Sequence, residues 1–303
     1  MSPTVSVEHV RKAYAGREAV RDVSFQVGEG EIFALLGPNG AGKTTTLEIL
    51  EGFRKRDGGQ VAIFGRDPAD RDGGRWLRQH VGLVLQDVTV EPYLTVRETI
   101  ARNAGYYARP RPVGEVIELA GLIGQERRQV RHLSGGQKRR LDLALGIVGD
   151  PRLLFLDEPT TGFDPDARHL AWDVVRRLAA GGTTILLTTH YLDEAQVLAD
   201  QVAVLVAGRI VATGTPETIG GRNTARTRIC FALPDAADAS DLPFGIAGRD
   251  ERLFAAEVDD ATSALHRLTS WALERNLTLD RLSVEQPSLE DVYLSLASAE
   301  GSR

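Results

Sequence analysis

Cysteine is nearly absent from this chain: Cys230 stands alone among 303 residues. A single thiol excludes an intramolecular disulfide and a thiolate metal cluster, and it fits a reducing compartment. No apolar stretch approaches the roughly 20 residues that a membrane-spanning helix needs. The opening residues Met1-Ser2-Pro3-Thr4-Val5 lack the basic-then-apolar order of a signal peptide, so none is expected. A formal net charge of −6 leaves no large basic field for nucleic acid. The clusters Arg127-Arg128 and Lys138-Arg139-Arg140 are short enough to read as solvated helix faces. What remains is ordinary globular composition, 42% hydrophobic and 26% charged, with length for two compact units.

The most informative stretch is Gly37-Pro38-Asn39-Gly40-Ala41-Gly42-Lys43-Thr44-Thr45. It follows the apolar run Ile32 to Leu36 and precedes a helix-compatible segment from Thr46 to Glu51. Strand, glycine-rich loop and helix form the context in which GxxxxGK[ST] implies phosphate binding. Glycines let backbone N–H groups wrap an anion at a helix N-terminus. Lys43 is placed to reach the β- and γ-phosphates and Thr44 to ligate Mg²⁺. Thr45, one position on, is a candidate for the α-phosphate.

Strands are expected over Val5 to Val10 and Val23 to Val27, with a turn at Ala15 to Glu18. Thr95 with Glu98 reads as a capping box, and a further helix begins after Ser134. The block from about Asp87 to Asp150 is helical within an otherwise α/β chain. Alternation of strands and helices then resumes, which argues for a mostly parallel sheet covered on both faces. Gly220-Gly221-Arg222-Asn223 is a linker candidate. Beyond it the pattern gives a small α+β unit: strands Arg228 to Leu233, Leu253 to Val258 and Leu279 to Val284, with helices Ala261 to Glu274 and Leu289 to Ala297. No phosphate loop, metal-ligand spacing or nucleophile arrangement occurs in that unit, so a regulatory or assembly role is expected.

Further residues carry chemistry. Leu153 to Leu156 is an apolar run ending in Asp157, placed to hold an Mg²⁺-bound water, and Glu158 follows as a candidate general base. Leu133-Ser134-Gly135-Gly136-Gln137 opens a helix and offers an anion-binding turn. Gln86 ends a strand, where its polar tip can meet Mg²⁺ or the attacking water. His190 ends another strand, within reach of a γ-phosphate. Thr161-Gly162-Phe163-Asp164 forms a turn past Glu158, and Asp164 is a candidate bridge to a second subunit. Tyr14 is a candidate platform for a nucleotide base.

Together these residues resemble the nucleotide-binding subunit of an ATP-binding-cassette (ABC) transporter. Gly37 to Thr44 matches the Walker A motif, Gln86 the Q-loop, and Leu133 to Gln137 the signature motif. Asp157 closes the Walker B motif and precedes the catalytic Glu158. Thr161 to Asp164 matches the D-loop, His190 the switch histidine, and Tyr14 the adenine-stacking position. The closing segment Glu285 to Tyr293, with Thr189 to Ala195 and Thr213 to Pro216, is similar to drug-export cassettes of the daunorubicin-resistance type. Phe163 departs from the usual D-loop leucine, and Ala15 from a frequent glycine; neither removes a functional group.

The resemblance implies an α/β fold of the P-loop NTPase, ABC type: a RecA-like core with a β-subdomain and a helical insertion, over 1–221. A C-terminal accessory domain over 222–303 completes the chain. It implies ATP and Mg²⁺, and a head-to-tail dimer in which Ser134 and Gly136 of one copy cover the nucleotide held by the other. It also implies separate transmembrane permease subunits, seated near Asp87 to Thr95, and a peripheral place on the cytoplasmic face of the membrane, soluble when alone. Drug export is the favoured direction. An importer, or a soluble translation-factor or DNA-repair type, is the alternative. The latter tend to carry two cassettes or long coiled coils, whereas here there is one phosphate loop and no heptad stretch.

Overall fold

The computed structural model describes residues 3–84, 90–224, 227–234, 242–245, 248–250, 253–285 and 288–293. The chain divides into two compact units, Met1–Pro216 and Glu217–Arg303.

The first unit is built on a six-stranded sheet. Its strands are β3 (Ile32–Leu36), β5 (Val81–Val84), β6 (Leu153–Asp157), β7 (Thr184–Thr189), β8 (Gln201–Val206) and β9 (Arg209–Gly214), in spatial order β5-β6-β7-β3-β8-β9. All pairs are parallel except β8 with β9, a hairpin. Every residue of β3, β6 and β7 is buried, as continuous apolar runs in a sheet covered on both faces require. Register then does the work of assembly: Leu36 pairs with Thr189, and Asp157 with Thr188. The residues following these strands, Gly37, Glu158 and His190, therefore leave three adjacent strands at the same carboxyl edge. Open α/β sheets place ligands at that edge.

An antiparallel sheet, β2-β1-β4, lies in the same unit, formed by β1 (Val5–Tyr14), β2 (Arg17–Val27) and β4 (Gly58–Ile63). It shares one core with the parallel sheet, in which Phe25 stacks on Phe33 at 4.9 Å. The first two strands run longer than the expected Val5 to Val10 and Val23 to Val27. Register shifts between Val7 and Ala13 break the period-two pattern, and His9 and Asp22 take positive φ. A bulged ladder keeps its hydrogen bonds while hiding its alternation from the sequence.

Helices α1 (Lys43–Leu50) and α2 (Arg71–His80) follow β3 and β4. The helical insertion holds α3 (Val96–Ala104), α4 (Val113–Leu119) and α5 (Gly135–Ile147). Thr95 and Ser134 each close the capping box, with Glu98 and Gln137. Each box satisfies two N-terminal donors that would otherwise lack partners, which fixes where α3 and α5 start. Helices α6 (Pro165–Ala180) and α7 (Leu192–Leu198) complete the unit. No helix among the described residues is long and apolar enough to cross a membrane.

The second unit is an antiparallel sheet in the order β11-β12-β10-β13. Its strands are β10 (Thr227–Ala232), β11 (Gly248–Asp250), β12 (Leu253–Val258) and β13 (Asp280–Glu285). Helix α8 (Ala261–Glu274) buries Ala264, Leu268, Trp271 and Ala272, a stripe at helical spacing that joins Ile229, Phe231 and Phe254 in one core. The three-residue strand β11 was not expected from the sequence. Of the closing helix, residues 289–293 are helical, and the rest of the expected span lies outside the described residues.

Candidate functional site

The phosphate loop is held by close packing. Gly42 caps α1 at φ 106°, and a Cβ there would stand 2.4 Å from the Ala19 carbonyl oxygen. A Cβ on Gly37 would meet the Leu205 carbonyl oxygen at the same 2.4 Å. Only glycine fits either position. The Gly208 N–H donates to Ala41 O at 2.9 Å and ties the loop to the β8–β9 hairpin. Because Gly42 turns the chain, α1 begins at Lys43, three residues before the expected Thr46.

Lys43 is buried at 5% exposure, and its Nζ donates to Gly37 O at 2.7 Å and Pro38 O at 3.3 Å. The same ammonium lies 3.4 Å from Glu158 Oε1. Thr44 Oγ1 donates to Asp157 Oδ2 at 3.3 Å, while Thr188 Oγ1 donates to Asp157 Oδ1 at 2.5 Å. Burial pushes the Asp157 carboxyl above the ordinary carboxylate value, and the Thr188 hydrogen bond opposes it.

Glu158 adopts φ 49°, left-handed for a non-glycine residue. Its N–H donates to Thr188 O at 3.1 Å. The turn aims the carboxylate back over the loop, where Oε2 lies 3.2 Å from His190 Nδ1 and accepts from Thr161 Oγ1 at 3.3 Å. Such strain is characteristic of functional sites. Glu158 thus stands between a lysine ammonium and an imidazole, at the mouth of a cleft lined by Ala19, Asn39, Gly40, Lys43, Thr44 and Thr45.

The expected residues fall into two sets. The structure brings together the phosphate loop, Asp157, Glu158 and His190. It leaves Ser134, Gly135, Gly136 and Gln137 apart: among the described residues no hydrogen bond or ion pair joins them to the loop. Ser134 Oγ instead accepts from Gln137 N, and Gln137 Oε1 from Ser134 N. Asp164 caps α6, accepting from Ala167 N at 2.8 Å. Tyr14 ends β1 at 38% exposure, with the Arg54 guanidinium 5.2 Å and Lys12 Nζ 5.6 Å from its ring. Gln86 lies outside the described residues.

Thr188 was not expected, and Thr161 was expected as the start of the turn past Glu158 but not as a partner of its carboxylate. Both act as hydroxyl donors that orient the two carboxylates. The only trace of Thr188 in the sequence is a polar residue ending an apolar strand.

Hard oxygen donors and a backbone cradle suit a nucleotide triphosphate with a magnesium ion. Among the described residues no group of three or more His, Cys, Asp or Glu side chains is placed to hold a metal alone.

Comparison with known proteins gives the same picture. The "ABC transporter" family model matches residues 20–161. A second, "ABC transporter domain-containing protein-like, C-terminal domain", matches 227–288. The daunorubicin resistance ATP-binding protein DrrA3 of Streptomyces coeruleorubidus is 35% identical, over 96% of this chain and 95% of its own. The Nod factor export ATP-binding protein I of Burkholderia pseudomallei is 40% identical, over 98% of this chain and 97% of its own. A solved ATP-binding subunit of an ABC transporter superposes with a TM-score of 0.64 at 29% identity, covering 71% of this chain and 90% of that one. With the strand-end site, the signature turn and these relatives in agreement, the chain belongs to the ABC transporter family, as an ATP-binding subunit that hydrolyses ATP to power transport.

Proposed function

We propose that the chain drives export of a drug-like, lipid or other compound through separate membrane-spanning subunits, hydrolysing ATP with Mg²⁺ in a head-to-tail dimer. Cassettes of this family work with membrane subunits and dimerise. The observation that carries the reading is Glu158, placed between Lys43 at 3.4 Å and His190 at 3.2 Å on adjacent strand ends.

Each residue has a role in this reading. Backbone N–H groups of Gly37 to Thr45, with Lys43, bind the phosphates. Thr44, Asp157 and Gln86 are the proposed magnesium ligands, and the ion would supply charge neutralisation at the β- and γ-phosphates. Glu158 takes a proton from the attacking water, and His190 donates toward the γ-phosphate. Tyr14 stacks on the adenine. Ser134 and Gly136 of a second copy cover the γ-phosphate, with Gly135 and Gln137 shaping that turn and Asp164 contacting the partner. This would account for the lack, among the described residues, of a hydrogen bond or ion pair between the signature turn and Lys43.

The membrane subunit is proposed to seat a cytoplasmic helix at the stretch Asp87 to Thr95, of which residues 90–95 are described. On this reading the chain is peripheral, on the cytoplasmic face of the membrane. The names of the two relatives, daunorubicin resistance and Nod factor export, support export over import. Glu158→Gln tests the reading: it should bind ATP and dimerise while hydrolysis falls by roughly 10²- to 10⁴-fold. Turnover at the wild-type rate in this variant would remove Glu158 as the base. Co-purification of a membrane-spanning protein with the tagged chain tests the partner.

A further inference from the structure

The carboxyl of Glu194 is fully enclosed at 0% exposure, on the first turn of α7 and four residues after His190. Its Oε1 accepts the indole N–H of Trp172 on α6 at 3.1 Å. Its Oε2 makes no hydrogen bond. The hydroxyls of Thr189 and Thr160 lie close enough to act on the carboxyl and favour its ionised form. Burial is the larger influence and raises the group above the ordinary glutamate value. Arg168 contributes a weaker attraction while its guanidinium lies over the Tyr191 ring at 4.6 Å.

An enclosed carboxyl with an unbonded oxygen is an expensive choice where an apolar side chain would pack. Its neighbours suggest what it does. Thr189 immediately precedes His190, and its hydroxyl accepts the Tyr191 N–H at 2.9 Å, so the residues on both sides of His190 meet at Thr189. Thr160 lies two residues past Glu158 in a tight turn, in which Thr161 N donates to Glu158 O at 3.3 Å and Phe163 N to Thr160 O at 3.1 Å. Thr160 Oγ1 has no hydrogen-bond partner of its own. Two unbonded polar atoms, Thr160 Oγ1 and Glu194 Oε2, thus occur where the segment of the base and the segment of the histidine converge. Both residues also line a small apolar cavity, with Pro159 and Phe163.

We propose that Glu194 is a positioning residue for hydrolysis: through Thr189 on one side and Thr160 on the other, it sets the placement of His190 relative to Glu158. The inference rests on the reading that Glu158 and His190 act at the γ-phosphate. Glu194 does not touch nucleotide. It links the strand-end histidine to the turn after the base, so that displacement of one segment is felt by the other.

Steady-state ATP hydrolysis by the purified full chain tests this. Glu194→Leu should lower kcat by roughly 10- to 100-fold, the scale of a small misplacement of reacting groups, with KM for ATP little changed. Glu194→Gln retains an acceptor for Trp172 and a donor for the hydroxyls, and should stay within about threefold of wild type. Thr160→Val and Thr189→Val should each lower kcat, and neither should add its full effect to Glu194→Leu. Wild-type turnover in Glu194→Leu overturns the proposal, as does full additivity with Thr160→Val, or a loss in Glu194→Gln as deep as in Glu194→Leu. Should Glu194→Leu not fold, wild-type turnover in both threonine variants overturns it equally. The underlying reading is judged separately, by hydrolysis in the wild-type chain and its loss in Glu158→Gln.

Discussion

Two glycine-rich turns in the first unit face opposite kinds of constraint. In the phosphate loop, a Cβ on Gly37 or Gly42 would stand 2.4 Å from a backbone carbonyl oxygen of the same chain. In the signature turn, a Cβ on Gly135 or Gly136 would meet nothing within 4 Å. The first pair of glycines is explained by the fold that surrounds it. Among the described residues nothing requires the second pair, and Ser134 and Gln137 already satisfy each other. On the proposed head-to-tail reading, the contrast separates residues that build a site from residues that complete a site in another copy.

The sharpest way to break that comparison is complementation. Lys43→Ala and Ser134→Arg should each be inactive alone, with losses of roughly 100-fold or more. Mixed, they form a heterodimer with one intact site, and turnover should return to at most about a quarter of the wild-type rate. No recovery on mixing, with both variants folded, would mean that each chain completes its own site.

Stability gives the next largest contrast. Gly42→Ala, with φ 106° and a carbonyl in the way, should lower stability by about 2–3 kcal/mol in thermal unfolding and weaken ATP binding. Gly136→Ala should leave unfolding within about 0.5 kcal/mol of wild type and reduce only hydrolysis. Equal destabilisation would erase the distinction between the two turns.

The enclosed side carries a further consequence in pH. The Glu51 carboxyl, with Oε1 lacking a hydrogen-bond partner, is pushed up to about 8 by burial and then by the charges of Asp157 and Glu48. The folded chain thus holds a proton that the unfolded chain releases above about 4.5. Bound protons are then fewer in the unfolded state, and stability falls as pH rises from about 4.5 to about 8. Glu51→Gln should match wild type near the lower limit and exceed it by roughly 1–3 kcal/mol beyond the upper one, seen by calorimetry across that range.

The smallest effect belongs to the open side. Ser134→Ala removes the α5 cap and should cost about 1 kcal/mol in thermal unfolding of the nucleotide-free chain. A much larger loss of stability would show that the turn supports its own chain.

Much of this was legible in the sequence, for reasons that differ by residue. Asp157, Glu158 and His190 stand at strand ends, which an apolar run followed by a polar residue announces, and Lys43 opens the helix after a glycine-rich loop. Thr95 and Ser134 carry both partners of their capping boxes within four residues. The bulged half of β1 was hidden because its alternation is broken. Thr188 and Glu194 were hidden for a different reason: their partners lie 31 and 22 positions away, and only strand register and helix packing bring them close. Local pattern carries no information about such pairs.

The seat of the phosphate loop governs the speed and cost of nucleotide capture. Gly37 rests on Leu205 O, Gly42 on Ala19 O, and Ala41 accepts from a Gly208 amide that in turn accepts Arg21 N–H at 2.7 Å through its carbonyl. The backbone proposed to meet the phosphates is thus held by contacts within the chain itself. A loop held in this way should lose little conformational entropy on association, so the expected on-rate is one set by diffusion and charge rather than by loop folding. Differences in affinity between nucleotides accordingly fall in their residence times.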